Sequence, residues 1–172
     1  MNEYFSRKQI NVGEAVYAGV IAGILAGVAM AMVSMMMSMI MGQGFFMPVK
    51  KISVTLLGPS VVQSSEFQMM PMMVGMMIHF ATAMMFGILF ALWGGRCSYG
   101  PAIGWGIAYG LAIWVVMHFV VLPIVNPVMA QMPYLQFAML HMIFGGTLGS
   151  YPAFLPSEAE SRAKALRPER AA

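Results

Sequence analysis

The chain has 172 residues, 60% of them hydrophobic and 9% charged, with a mean hydropathy of +0.77. About a quarter of the residues of a soluble domain are charged, so nine Lys and Arg and six Glu, with no Asp, cannot coat a globule of this length. This excludes an ordinary soluble enzyme, a disordered chain and a secreted disulfide scaffold, and leaves an all-α integral membrane protein.

The net charge is +3 and the pI about 9.2. The basic residues sit at segment ends, where membrane orientation accounts for them, so no nucleic-acid partner is expected. Cys97 is the single cysteine, which excludes an internal disulfide and a cysteine-cluster metal site. The first ten residues are polar and a long apolar run follows, which is not the pattern of a cleaved signal peptide.

A spanning helix needs about 20 mostly apolar residues. In chain order, residues 1–14 form a polar N-terminal segment with Arg7 and Lys8. Residues 15–155 form a four-helix transmembrane bundle, with spans at about 15–41, 69–93, 101–125 and 134–155. The first loop, 42–68, is long, carries Lys50 and Lys51, and is punctuated by Pro48 and by Gly58-Pro59. Its stretch 52–57 is expected along the membrane surface. The second loop holds Arg96 and Cys97, and the third, 126–133, is uncharged. In the tail, 156–172, Ser157 with Glu160 fits a capping box and predicts a short surface helix. Tyr17, Trp93, Tyr99, Trp105, Tyr134 and Tyr151 lie near span ends, as interfacial anchors do.

The termini and second loop carry seven Lys and Arg, against two in the first loop. This asymmetry predicts both termini in the cytoplasm, and the chain is expected to be a multi-pass protein of a prokaryotic cytoplasmic (inner) membrane. The Cys97 thiol then faces a reducing compartment.

Gly19, Gly23 and Gly27 form a small-residue stripe on the first span; Gly106 and Gly110, and Gly145 and Gly149, form shorter ones on the third and fourth. Small residues let helices approach closely in lipid. They are expected to pack helices within the chain or against another subunit.

The three histidines, His79, His118 and His141, all fall inside spans, where an ionisable residue is a functional-site hypothesis by default. Counted from the outer end of its span, each lies seven to ten residues in; at 1.5 Å per residue they share one depth to within about 5 Å. Three roles fit them: hydrogen bonds between helices, ligation of copper or haem, and proton handling. All but Met1, Met84 and Met85 of the 22 methionines lie in the same outer half. Thioether sulfur selects Cu(I), which makes Met76, Met117, Met139 and Met142 possible soft ligands. Methionine is also a flexible gap-filler and an adaptable partner surface.

There is no phosphate-binding glycine loop, no zinc-protease motif and no Cys-x-x-Cys-His haem attachment, so a self-contained enzyme is not expected. Ile78-His79-Phe80 with Phe86-Gly-Ile-Leu-Phe90, His118 with Pro123 and Asn126-Pro127, and His141 together resemble the YagU-like group of small bacterial inner-membrane proteins. The resemblance covers about 75–150 and implies the same membrane fold and three histidines, with a suggested role in acid tolerance. The methionine-rich outer half departs from that group.

The expected function is a non-catalytic accessory or assembly subunit of a larger membrane complex, respiratory and metal-dependent, with lipid and other membrane subunits as partners. The alternatives are a stand-alone copper- or haem-binding protein using the three histidines, and a small proton-linked transporter.

Overall fold

The structure, a computed structural model, describes residues 11–95 and 97–157. The basic residues Arg7, Lys8 and Arg96 and the expected tail helix lie outside the described residues. Those described form helices, turns and no strand. Helix α1 spans Val12–Ile40. Asn11 caps it, its Oδ1 accepting the Gly13 N–H at 2.8 Å, and Glu14 lies in the first turn, where the helix dipole favours an anion. Helix α2, Met47–Leu57, has Pro48 in its first turn, where a missing N–H costs nothing, and ends at Gly58 with φ +79°. A 3₁₀ turn, Pro59–Val62, leads on to helix α3, Met69–Gly94. Helix α4 runs Tyr99–Val125. A single turn, α5, covers Pro127–Ala130, helix α6 covers Tyr134–Leu148, and a 3₁₀ turn covers Tyr151–Phe154.

Among the described residues, three helices are long and apolar enough to cross a membrane: α1, α3 and α4, whose most apolar stretches have mean hydropathies of 2.2, 1.9 and 2.2. The fourth expected span is shorter than 134–155. Helix α6 has 15 residues, or about 22 Å at 1.5 Å per residue, against a hydrocarbon core of about 30 Å. Gly149 and Ser150 leave the helix, and Pro152 then has no N–H with which to resume an α ladder. The stretch 52–57, expected along the membrane surface, is helical. It belongs to α2, which packs into α3: a Cβ on Gly75 would strike the Val49 carbonyl oxygen.

The bundle is two tight helix pairs joined through one seam. In the first pair, Gly19 and Gly23 of α1 lie on the α3 backbone. A Cβ on Gly19 would come within 2.6 Å of Ile88 Cα, and one on Gly23 within 2.6 Å of the Ala83 carbonyl oxygen. Gly27, one turn on, faces Ala83 and Phe80. In the second pair, a Cβ on Gly106 would strike the Gly145 carbonyl, one on Gly145 the Gly106 carbonyl, one on Gly110 the His141 carbonyl, and one on Gly149 Ile103 Cα. The pairs meet where α1 lies against α6. Ala15, Ala18, Ala22 and Ala26 have at most 1% of their surface exposed, and they share a core with Phe144 and Leu148 of α6.

The remaining seam, between α3 and α4, is closed only at the end away from α2. There Trp93 and Trp105 meet edge to face at 5.6 Å. Tyr109 packs on Phe90 at 5.1 Å and donates to the Phe86 carbonyl at 3.2 Å. Tyr151 finishes that end, its hydroxyl donating to the Gly95 carbonyl at 2.6 Å. Towards α2 the two helices part.

Gly145→Val should weaken the fold by about 1–3 kcal/mol, the usual range for overpacking. Gly104, with nothing within 4 Å of an added Cβ, should accept alanine with no loss. Thermal unfolding of both variants in one detergent checks the contrast.

Candidate functional site

Where α3 and α4 part, they leave a cavity of about 250 Å³. Its walls are Ile78, His79, Thr82 and Phe86 of α3, Ile113, Met117, Val121 and Leu122 of α4, and Phe137, His141 and Phe144 of α6. Met30 of α1 closes the back, and Ile52 and Thr55 of α2 with Met129 close the α2 end. Val125, about half exposed, stands at the rim. A smaller space of about 40 Å³ lies between α1, α2 and α6 and shares Met30, His79 and Phe137.

Backbone carbonyls fix the tautomers of two histidines. His79 Nε2 lies 2.9 Å from the Gly27 carbonyl oxygen and His141 Nδ1 2.9 Å from the Phe137 carbonyl oxygen. A carbonyl only accepts, so each of these nitrogens carries the proton. In the neutral ring the other nitrogen, Nδ1 of His79 and Nε2 of His141, is then a lone-pair acceptor. Both rings line the cavity. Thr82 spends its proton on the Ile78 carbonyl at 2.8 Å.

His118 lies beside this pair rather than on the cavity wall. It stacks on Trp114 with centroids 6.2 Å apart and does not line the cavity. Phe137 packs against both His118, at 5.9 Å, and His141, at 4.4 Å. Pro123 cannot donate and its ring crowds the carbonyl four residues earlier. The helix absorbs this as a π turn over Met117–Val121, with the Leu122 N–H reaching back to the Met117 carbonyl. Of the three histidines expected at one depth, His79 and His141 line the cavity, and His118 lies beside it against the Phe137 ring that also meets His141. Among the described residues, no three His, Cys, Asp or Glu side chains are grouped to hold a metal ion. The His118 Nδ1 and Trp114 Nε1 atoms are buried without a hydrogen-bond partner.

Of the methionines named from sequence, Met117 lines the cavity. Met76 is half-buried and does not, and Met139 and Met142 are exposed on α6. Met30 and Met129 occupy positions beside Met117 that the sequence reading did not single out.

The α2 side of the cavity is held by polar contacts that the sequence reading also missed. Asn126, 1% exposed, donates from Nδ2 to the Lys51 carbonyl at 2.8 Å and to Thr55 Oγ1 at 2.9 Å, while its Oδ1 accepts the Met129 N–H at 3.0 Å. One side chain thus caps α5 and ties the α4 corner to α2. The Asn-Pro pair signals such a turn, but not the second partner. Lys50 has no exposed surface and donates from Nζ to the Ser64 carbonyl at 2.5 Å and the Glu66 carbonyl at 3.1 Å. This fastens the loop before α3 over α2. Partial burial holds the neighbouring Lys51 ammonium below its usual pKa.

No match to the chain was found among family models, curated proteins or solved structures.

Asn126→Ala should cost about 1–3 kcal/mol, because it strands buried partners, and should loosen α2. Thr55→Val should cost less, since it removes one of the bonds. Thermal unfolding ranks the two, and faster proteolysis within 42–68 in Asn126→Ala reports the loosening.

Proposed function

We propose that this protein is a non-catalytic, multi-pass subunit of a prokaryotic cytoplasmic membrane that binds a small apolar ligand inside the bilayer, within or beside a larger membrane complex. In this reading the fold is a four-helix bundle with both termini in the cytoplasm, α6 being the short inner helix. The α2 end and its cavity then lie in the outer half of the membrane. The YagU-like likeness belongs to the same reading.

The observation that carries it is the cavity between α3 and α4. It is almost wholly apolar yet holds two histidines from different helices. Intramembrane ionisable residues are costly and mark sites, and ligand sites are concave, mostly apolar spaces with a few polar groups. Three thioethers, from Met30, Met117 and Met129, share the space with the imidazoles. That donor set favours a second reading, capture of Cu(I). A haem is poorly matched: an engineered cavity of about 150 Å³ takes one benzene, so about 250 Å³ suits one or two rings rather than a tetrapyrrole.

The test is to purify the full chain gently from native membranes and measure its optical spectrum, metal content and solvent-extractable small molecules, beside His79→Leu and His141→Leu. The proposal expects a colourless protein carrying an apolar organic molecule that both variants lose. About one copper per chain, lost in the same variants, would put the second reading in its place. A clean preparation with neither would overturn both. For orientation, Cys97 should resist a membrane-impermeant maleimide in intact spheroplasts, and a cysteine at Gln63 should react.

A further inference from the structure

The donor and acceptor balance of the cavity says more about its occupant. This step rests on the reading of the cavity as a ligand site. His79 Nε2 and His141 Nδ1 spend their protons on the Gly27 and Phe137 carbonyls. The Thr82 hydroxyl spends its proton on the Ile78 carbonyl. What these groups offer the cavity is therefore lone pairs: Nδ1 of His79, Nε2 of His141 and Oγ1 of Thr82. Thr55 is the exception, because its oxygen accepts from Asn126 and its own proton is free to donate. A polar atom buried without a partner is costly. An acyl chain would leave all of these acceptors unmet. An occupant with hydroxyl donors would meet them.

The walls choose the rest of the molecule. Phe86, Phe137 and Phe144 line the same space, and aromatic rings favour edge and face contact with another ring. The volume admits one or two rings. The seam between α3 and α4, closed only from Phe86 and Tyr109 downwards, leaves a lateral path for a tail that stays in lipid. We infer that the cavity binds the hydroxylated ring of a membrane-dissolved hydroquinone, with His79 and His141 as acceptors for its hydroxyls and its apolar tail leaving between α3 and α4. The oxidised quinone offers no donor and would leave the same lone pairs unmet. The site therefore discriminates the reduced from the oxidised ring by binding alone.

The experiment titrates the full chain in nanodiscs, under anaerobic and reducing conditions, with a decyl-substituted hydroquinone and with its dimethyl ether. The matching quinone is titrated separately without reductant. Calorimetry reads affinity. Two hydrogen bonds of ordinary net strength predict that the hydroquinone binds roughly tenfold or more tighter than either non-donor. His79→Leu and His141→Leu should each shrink that ratio, and His118→Leu should leave it unchanged. Val121→Trp, which fills the cavity, should abolish binding of all three compounds. If all three bind equally and Val121→Trp removes them, the cavity is a ligand site but the hydroxyl recognition is wrong. If none binds, both this inference and the ligand-site reading fall. The comparison of the three compounds on the unaltered protein needs no variant, so it decides the matter even where a histidine substitution fails to fold.

Discussion

Backbone-to-backbone contact through glycine is the constraint on which this molecule depends. In lipid there is no hydrophobic gain from bringing one apolar helix to another, so association rests on close packing and polar contacts. At Gly19, Gly23 and Gly87 in one pair, and at Gly106, Gly110 and Gly145 in the other, a helix lies so close to its neighbour that a methyl group would not fit. These two zippers make the glycine-to-backbone contacts between the long helices. The α3–α4 seam has none comparable and is bridged by large aromatic side chains instead. Tight packing on one side of the bundle and an open space on the other are thus one distribution of glycine seen from two sides.

The cavity is bounded by contacts of different strength. Its back and one end are made by α1 and α6, whose alanine and phenylalanine side chains are almost fully buried. Its α2 end combines the packing of α2 on α3 with a few polar atoms around Asn126 and Lys50. Hydrogen bonds of this kind contribute little net energy but are expensive to break when their partners are left buried. The α2 end is therefore fixed by packing and by a handful of directional bonds together, while the other walls are fixed by packing alone.

Much of the long-helix framework was legible in the sequence because it is written in runs and spacings. The apolar runs of α1, α3 and α4 exceed the length a membrane demands, and glycines four apart mark a helical line, the lines along which the backbones touch here. The length of α6 was not legible, since composition stays apolar through Ser150 and Pro152 while the helix does not. The histidines show the limit most clearly. Counting residues gave them one depth, but which rings line the cavity depends on where the helices part: His79 and His141 line it, while His118 lies against Trp114 and Phe137 beside it. Lys50 reads as a loop cation in the sequence; only the carbonyls of Ser64 and Glu66, more than a dozen residues away, make its burial tolerable. Met30 and Met129 were hidden among so many methionines that position, not identity, distinguishes them.

The π turn acts on everything that follows it. It adds one residue to one turn of α4, and one residue in a helix of 3.6 per turn is a rotation of about 100°. Everything beyond it is turned by that angle: Leu122 is buried rather than Val121, Ile124 is 80% exposed, and Asn126 points inwards to α2. The irregular turn thus works as a phase adjuster between two halves of one rod. The first half is set by the glycines against α6 and the second by the anchor to α2. The attachment of α2 is thus indexed to the bundle through one extra residue.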